Sequence, residues 1–271
     1  GTRNYLIEFV EASYFVTLTN KVIEISLHEV RCCDIDSMTN IMGLLNHRPL
    51  LCLVTDRRRY APGESKEQQL ESVVTMVGAA ASAGVDLIQV RERDLSARTL
   101  ETLVIRCLDI IKGTSTQLVV NDRLDVALGT GASGVHLREE SFNVDRVRMK
   151  TPKGFLIGYS AHDLDGAVAA SVYVDYIVLG TVYHSRSKPP SQKLLGVSAL
   201  AHASRLTAVP ILAIGGVTQD VLAEVAHSGA AGIAAIDLFI EAGRSQENRT
   251  LGITHLVDTV QQAFDSPKPL V

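Results

Sequence analysis

Tryptophan is absent from this 271-residue chain and aromatic residues make up only 5% of it. That removes the stacking platforms on which single-stranded nucleic acids are bound. An excess of positive charge is absent too. Lysine and arginine number 26 against 30 acidic residues, for a formal net charge of −4, and the basic residues form no stripe that would neutralise a phosphate backbone. Nucleic acid is therefore not an expected partner. Cysteine is scarce: Cys32, Cys33, Cys52 and Cys107 have neither the paired CxxC spacing and histidines of a zinc site nor the pattern of a disulfide framework. A reducing cytoplasm is the expected setting. No apolar run approaches the roughly 20 residues that cross a bilayer. Glu8 and Glu11 also fall where an export signal has its uncharged core, so no membrane association is expected.

What is present is a chain with 46% hydrophobic residues, enough to bury a full core in one large or two small domains. Residues 1–47 hold Val/Ile/Phe/Thr-rich pieces, YFVTLT and KVIEISLHEV, with no glycine between Gly1 and Gly43. They read as an N-terminal appendage of one or two strands and a short helix. From residue 48 to about 265, short β-branched runs alternate with longer helical patterns, and residues 266–271 form a tail.

The strand candidates are LLCLVT, DLIQVR, TQLVVN, GVHL, FLIGYS, YIVLGT, PILAIGG and GIAAID. Eight strands interleaved with helices predict an α/β fold, a closed (β/α)8 TIM barrel. The predicted helices run over 66–83, 97–111, 124–129, 144–149, 164–171, 197–204, 219–228 and 254–264. In the first of them Leu70, Val73, Val74, Val77 and Ala81 share one face at 3/4 spacing. A doubly wound open sheet is the rival, but LVTDRRRYAPG lacks the glycine-rich dinucleotide turn expected after its first strand.

In a barrel of this kind the site is built from residues just past the strands' carboxyl ends, and five places qualify. Gln89, Arg91 and Arg93 alternate along IQVRERD and point to one face, either as an anion site or as a salt-bridged lining. Asn121 and Asp122 follow LVV, where Asp122 either binds a metal-bridged phosphate or caps the next helix. Ser160 and His162 end IGYSAH, and a histidine there suits proton transfer. His136, inside GVHL, reads as structural. Ser185, Ser187 and Lys188 lie on a long loop and suit an anionic substrate. Finally, Gly215 and Gly216 in IGGV, with backbone near Ala235 and Ile236, match a phosphate cradle of main-chain N–H groups.

The ordered set LVTDR, QVRERD, VVNDRLDVAL, GASGVHL, IGYSAH, DYIVLGTVY, SK, PILAIGGV and GAAGIAAI, from Leu51 through Leu238, resembles the thiamine phosphate synthase and TenI (thiazole tautomerase) superfamily. The resemblance implies a small phosphorylated heterocycle as ligand and is compatible with a homo-oligomer. In the synthase branch magnesium bridges a pyrophosphate, and two aspartates help hold it. One would be Asp122; the other position, in a GQED segment, is Ser141 of REES here. A hydroxyl is a far poorer ligand than a carboxylate for a hard cation.

Arg93 replaces the lysine of the family's QxREK, and SRSK replaces a threonine-rich loop while keeping Lys188. These departures weaken pyrophosphate chemistry. The TenI branch needs no metal, and its GYSxH segment resembles Gly158 to His162.

The resemblance thus implies first a TenI-like thiazole tautomerase without cofactor. In it His162 moves the proton, while Arg91, Arg93 and Lys188 hold the carboxylate of a carboxythiazole phosphate. The alternatives are a thiamine-phosphate synthase (diphosphorylase) using Mg2+ at Asp122, and a non-catalytic thiazole-phosphate-binding protein. Asp237, just after GIAAI, is expected either to point away from the phosphate or to weaken its binding.

Overall fold

A computed structural model describes residues 13–18, 21–26, 49–184, 194–244 and 248–265. In the N-terminal part β1 (Ser13–Leu18) and β2 (Lys21–Ser26) pair antiparallel, with Ser13 opposite Ser26. The rest is built on eight parallel strands: β3 (Leu50–Val54), β4 (Leu87–Val90), β5 (Gln117–Asn121), β6 (Gly134–Leu137), β7 (Leu156–Ala161), β8 (Tyr176–Leu179), β9 (Ile211–Ala213) and β10 (Gly232–Ala235). Each pairs with the next and β10 closes on β3, with Ala235 beside Leu53, so the sheet is a closed barrel. The expected (β/α)8 architecture is present.

Between and after the strands lie α1 (Arg57–Tyr60), α2 (Lys66–Ser82), α3 (Ala97–Ile110), α4 (Leu124–Thr130), α5 (Val144–Lys150), α6 (Leu164–Ala170), α7 (Gly196–Leu206), α8 (Leu222–His227), α9 (Asp237–Ala242) and α10 (Arg249–Asp265). Helix α2 starts where the Ser65 hydroxyl accepts from the Gln68 amide and the Gln68 side chain accepts from the Ser65 amide, a reciprocal cap. It buries Val73, Val74, Val77 and Ala81, the stripe its periodicity predicts. The last helix begins five residues before the predicted Thr254, and α1 and α9, four and six residues long, were not expected. Runs that short show no readable period.

Strand pleating sorts the core into two compartments. In β3, Leu51 and Leu53 join the helices in the outer cluster, whereas Leu50, Cys52 and Val54 pack inside the barrel with Leu87, Val119, Leu156, Tyr176, Val178, Leu212 and Ala234. The inward positions turn polar toward the carboxyl ends. Gln89, two residues beyond Leu87, donates to Asn121 Oδ1 at 3.0 Å. His136 is buried, with Nδ1 2.9 Å from the Tyr176 hydroxyl and Nε2 2.8 Å from Ser160 Oγ. Burial lowers its pKa to about 3, so the ring is neutral and one nitrogen donates while the other accepts. Room for this pair exists because residue 158 is glycine: a Cβ there would lie 2.3 Å from the Tyr176 hydroxyl and 2.5 Å from His136 Nδ1.

Among the described residues no helix is long and apolar enough to cross a membrane. Cys52 and Cys107 are free and buried, and burial raises both thiols, Cys107 to about 12; neither is a nucleophile at neutral pH.

Candidate functional site

The polar layer of the barrel opens into a cavity of about 300 Å³ at the carboxyl ends of the strands. Gln89, Arg91, Arg93, Asn121, Ser160, His162, Gly215, Gly216, Ala235 and Ile236 all line it. Ser185, Ser187 and Lys188 lie outside the described residues. Strand β4 stops at Val90, so the alternation that places Gln89 inside the barrel does not extend to Arg91 and Arg93; these project from the following loop, Arg91 half-buried and Arg93 exposed at the rim.

The loop after β4 is held from below. Glu92, almost fully buried, accepts from Thr55 Oγ1 at 2.9 Å, from the Arg57 amide at 3.0 Å and from Arg57 Nη1 at 2.9 Å. Thr55 Oγ1 in turn accepts from the Arg91 amide. Burial raises the Glu92 pKa, opposed mainly by hydrogen bonds from Arg57 and Thr55. Arg57 also makes a two-pronged contact with Asp94, which holds that carboxyl well below its usual range. The LVTDR and QVRERD segments thus staple two adjacent strand ends together and leave Arg91 and Arg93 free. Neither guanidinium has a side-chain partner among the described residues. Burial, and next the charge of Arg93, lowers the pKa of Arg91, the situation of a cation waiting for an anion.

Asp122 does not cap the next helix: the N-cap of α4 is Arg123, with no side-chain cap bond. It adopts φ +62, and both carboxylate oxygens are engaged. Oδ2 accepts from Arg138 Nε at 2.9 Å and from Arg138 Nη2, while Oδ1 accepts from the Ser141 hydroxyl. Ser141 Oγ also accepts from the Arg138 amide at 2.9 Å. Arg138 itself lines the cavity; Asp122 sits behind it. Glu139 is turned elsewhere, accepting from the His162 amide at 3.1 Å. Among the described residues no group of three or more His, Cys, Asp or Glu side chains is placed to hold a metal ion. The donor set therefore does not fit the magnesium that the synthase branch implies at Asp122.

On the opposite wall, Gly215 and Gly216 follow β9 with φ +92 and +65. A Cβ on Gly216 would lie 2.2 Å from the His184 carbonyl oxygen, and one on Gly215 2.5 Å from the Thr181 methyl, so only glycine fits either position. Their amides donate to no carbonyl of the described residues and are available to an anion. The first-turn amides of α9 stand beside them, unsatisfied within that helix. Asp237, its first residue, does line the cavity, and its carboxylate is paired with Arg59. Of the two expected alternatives, pointing away is therefore corrected, and the carboxylate carries a cationic partner.

His162 Nδ1 lies 2.8 Å from the Gly180 carbonyl oxygen. A carbonyl only accepts, so Nδ1 carries the hydrogen and Nε2 is the nitrogen left for a ligand. Sequence reasoning missed Arg59 and Arg138. The rule that strand ends carry the site points to Arg138 directly after GVHL, and LVTDRRR held Arg59.

A sequence-family model described as thiamine monophosphate synthase matches residues 51–239. The thiamine-phosphate synthase of Roseiflexus castenholzii is 32% identical over 206 residues, covering 76% of this chain and 87% of that protein. The thiamine-phosphate synthase of Chlorobium luteolum is 32% identical over 202 residues, covering 74% and 90%. Among solved structures, thiamine phosphate pyrophosphorylase from Pyrococcus furiosus superposes with a TM-score of 0.65 at 26% identity, covering 79% of this chain and 96% of that one. These relatives carry the name of a transferase. They overturn the expectation that a thiazole tautomerase takes precedence over a thiamine-phosphate diphosphorylase.

Proposed function

The chain belongs to the thiamine monophosphate synthase family, and from that membership we propose that it joins a hydroxymethylpyrimidine pyrophosphate to a thiazole phosphate. One observation supports the reading: the cavity has two walls whose chemistry suits anions. Gly215 and Gly216, after β9, face across the barrel from β5, and the arginines 91, 93 and 138 follow β4 and β6 on either side of it. Two phosphorylated substrates need two such places.

In the reaction the bond between the pyrimidine methylene carbon and the pyrophosphate oxygen breaks, and that oxygen leaves with the electron pair. The thiazole nitrogen supplies the pair for the new C–N bond and becomes cationic. No proton is gained or lost in this balance. The glycine amides hold the thiazole phosphate, the arginines hold the pyrophosphate and stabilise it as charge builds on the leaving oxygen, and Gln89 and Asn121 form the floor between them. His162 then has no proton to carry, and its Nε2 serves as a hydrogen-bonding group that orients a substrate. Ile214, Val217 and Leu238 add apolar lining to the cavity.

The test is to mix purified protein with both phosphorylated precursors and measure thiamine phosphate and released pyrophosphate. Equimolar formation of the two is expected. Binding of both precursors without either product would remove the synthase assignment.

A further inference from the structure

We infer that this chain grips pyrophosphate with the guanidinium groups of Arg91, Arg93 and Arg138 in place of a divalent cation, and that the Arg138 guanidinium occupies the place on Asp122 where that cation would bind. The inference rests on the proposed synthase reading for the identity of the anion; the geometry of the cation rests on the side chains.

Three independent observations carry it. First, both oxygens of Asp122 are engaged: Oδ2 receives both Nε and Nη2 of Arg138, and Oδ1 receives the Ser141 hydroxyl. A cation entering there would have to displace a partner or sit against a guanidinium of like charge. Second, the carboxylate that a hard cation would want as its second ligand is missing. Residue 141 is a serine, Glu139 accepts from the His162 amide, and Glu140 is exposed; neither glutamate lines the cavity. Third, three guanidinium groups, from Arg91, Arg93 and Arg138, line the same cavity wall, and the first two have no side-chain partner among the described residues.

The arrangement suits a polyanion. Arg138 spends Nε and one Nη2 hydrogen on Asp122, which locks its plane and leaves Nη1 without a side-chain partner among the described residues. Planar forks of this kind match the oxygens of a phosphate in a two-pronged manner. Crowding three cations into a partly dry wall is unfavourable in the empty protein, and an anion of three to four negative charges relieves it. Asp122 in this reading is a positioning residue for Arg138, never a metal ligand.

Calorimetric titration of the full chain with inorganic pyrophosphate, in EDTA and again with magnesium, tests this. Binding in EDTA is expected, with no gain in affinity when magnesium is supplied. Arg93→Gln, at an exposed position with no partner to orphan, is expected to weaken binding about tenfold. The double variant Arg138→Gly, Ser141→Asp, which frees Asp122 and adds a carboxylate, is expected to bind in magnesium but not in EDTA; thermal melting verifies that it is folded. Pyrophosphate binding by the wild-type chain only when magnesium is present overturns the inference, as does an Arg93→Gln affinity equal to wild type. The two readings fail separately. Thiamine phosphate formed from both precursors, but with pyrophosphate binding strictly metal-dependent, sinks the arginine grip and leaves the synthase. Tight metal-free pyrophosphate binding with no product from both precursors keeps the grip and sinks the synthase.

Discussion

Arg59 in α1 and Asp237 at the start of α9 form an ion pair across the seam where β3 closes on β10, joining residues far apart in sequence at the wall of the cavity. The pair would let a carboxylate be tolerated beside the proposed phosphate site. Removing its cation is expected to turn Asp237 into a repulsive charge: Arg59→Gln should weaken thiazole phosphate binding about tenfold. Adding Asp237→Asn should restore most of that loss. Equal affinity of the single variant and wild type, by calorimetry, would show that the carboxylate does not sense the ligand.

The glycine turn makes a sharper case, because space and backbone agree. Gly216→Ala places a methyl group against the His184 carbonyl at a φ that costs an L-residue about 1–2 kcal/mol. The turn must move, and with it the amides proposed to hold the phosphate. An increase in the KM for thiazole phosphate of about tenfold or more is expected, with the KM for the pyrimidine substrate changed far less. A uniform loss on both substrates would point to a damaged fold instead.

Buried Glu92 supports the arginine wall without touching the cavity. Glu92→Ala removes one of the two carboxylates that pair with buried Arg57, leaves Asp94 as the other, and orphans the Thr55 hydroxyl and the Arg57 amide; breaking a buried pair in this way costs about 3–5 kcal/mol. A fall in the denaturant midpoint of corresponding size is expected. A loss under about 1 kcal/mol would mean that Asp94 alone satisfies Arg57.

Stability against acid should depend on His136. The imidazole titrates near 6.5 in an unfolded chain but near 3 in the barrel, because burial disfavours its charged form. Between these values only the unfolded chain binds the proton. The stability linked to this group is complete above pH 6.5 and drains away as pH falls toward 3, by about 2 kcal/mol between pH 6.5 and 5. Urea midpoints measured at both pH values should show this loss in wild type and a smaller one in His136→Gln; identical losses would assign it elsewhere.

For His162 the balanced reaction makes a negative prediction. General acid–base catalysis contributes about 10²–10⁴-fold, whereas a hydrogen-bonding contact contributes about tenfold. His162→Gln is therefore expected to lower kcat by about tenfold and to leave the pH–rate profile unchanged in shape. Loss of a limb of that profile would make the imidazole a proton carrier after all.

Much of the molecule could be read from one-dimensional pattern. Strands and helices were legible because the alternation of LLCLVT, DLIQVR and their successors is a local property of which residues prefer a pleated, buried surface. Gly215 and Gly216 were legible because no other residue type accepts their backbone. Where the pattern stopped, so did the reading: β4 ends at Val90, and extending its alternation to Arg91 and Arg93 misjudged how exposed Arg93 is. The weakened metal site was read as a sign of a metal-free tautomerase, since Ser141 looked like a loss rather than half of an exchange.

By itself, then, the order of residues determined the eightfold alternation, the inward face of each strand and the glycine turn, all of which depend on neighbours a few positions apart. The partners of the charged residues were decided only in three dimensions. Arg138 meets Asp122 because the register sets His136 beside Asn121 on adjacent strands, and Arg59 meets Asp237 because the barrel closes. Charge acts through space, at distances the chain reaches only once strands far apart in sequence lie side by side.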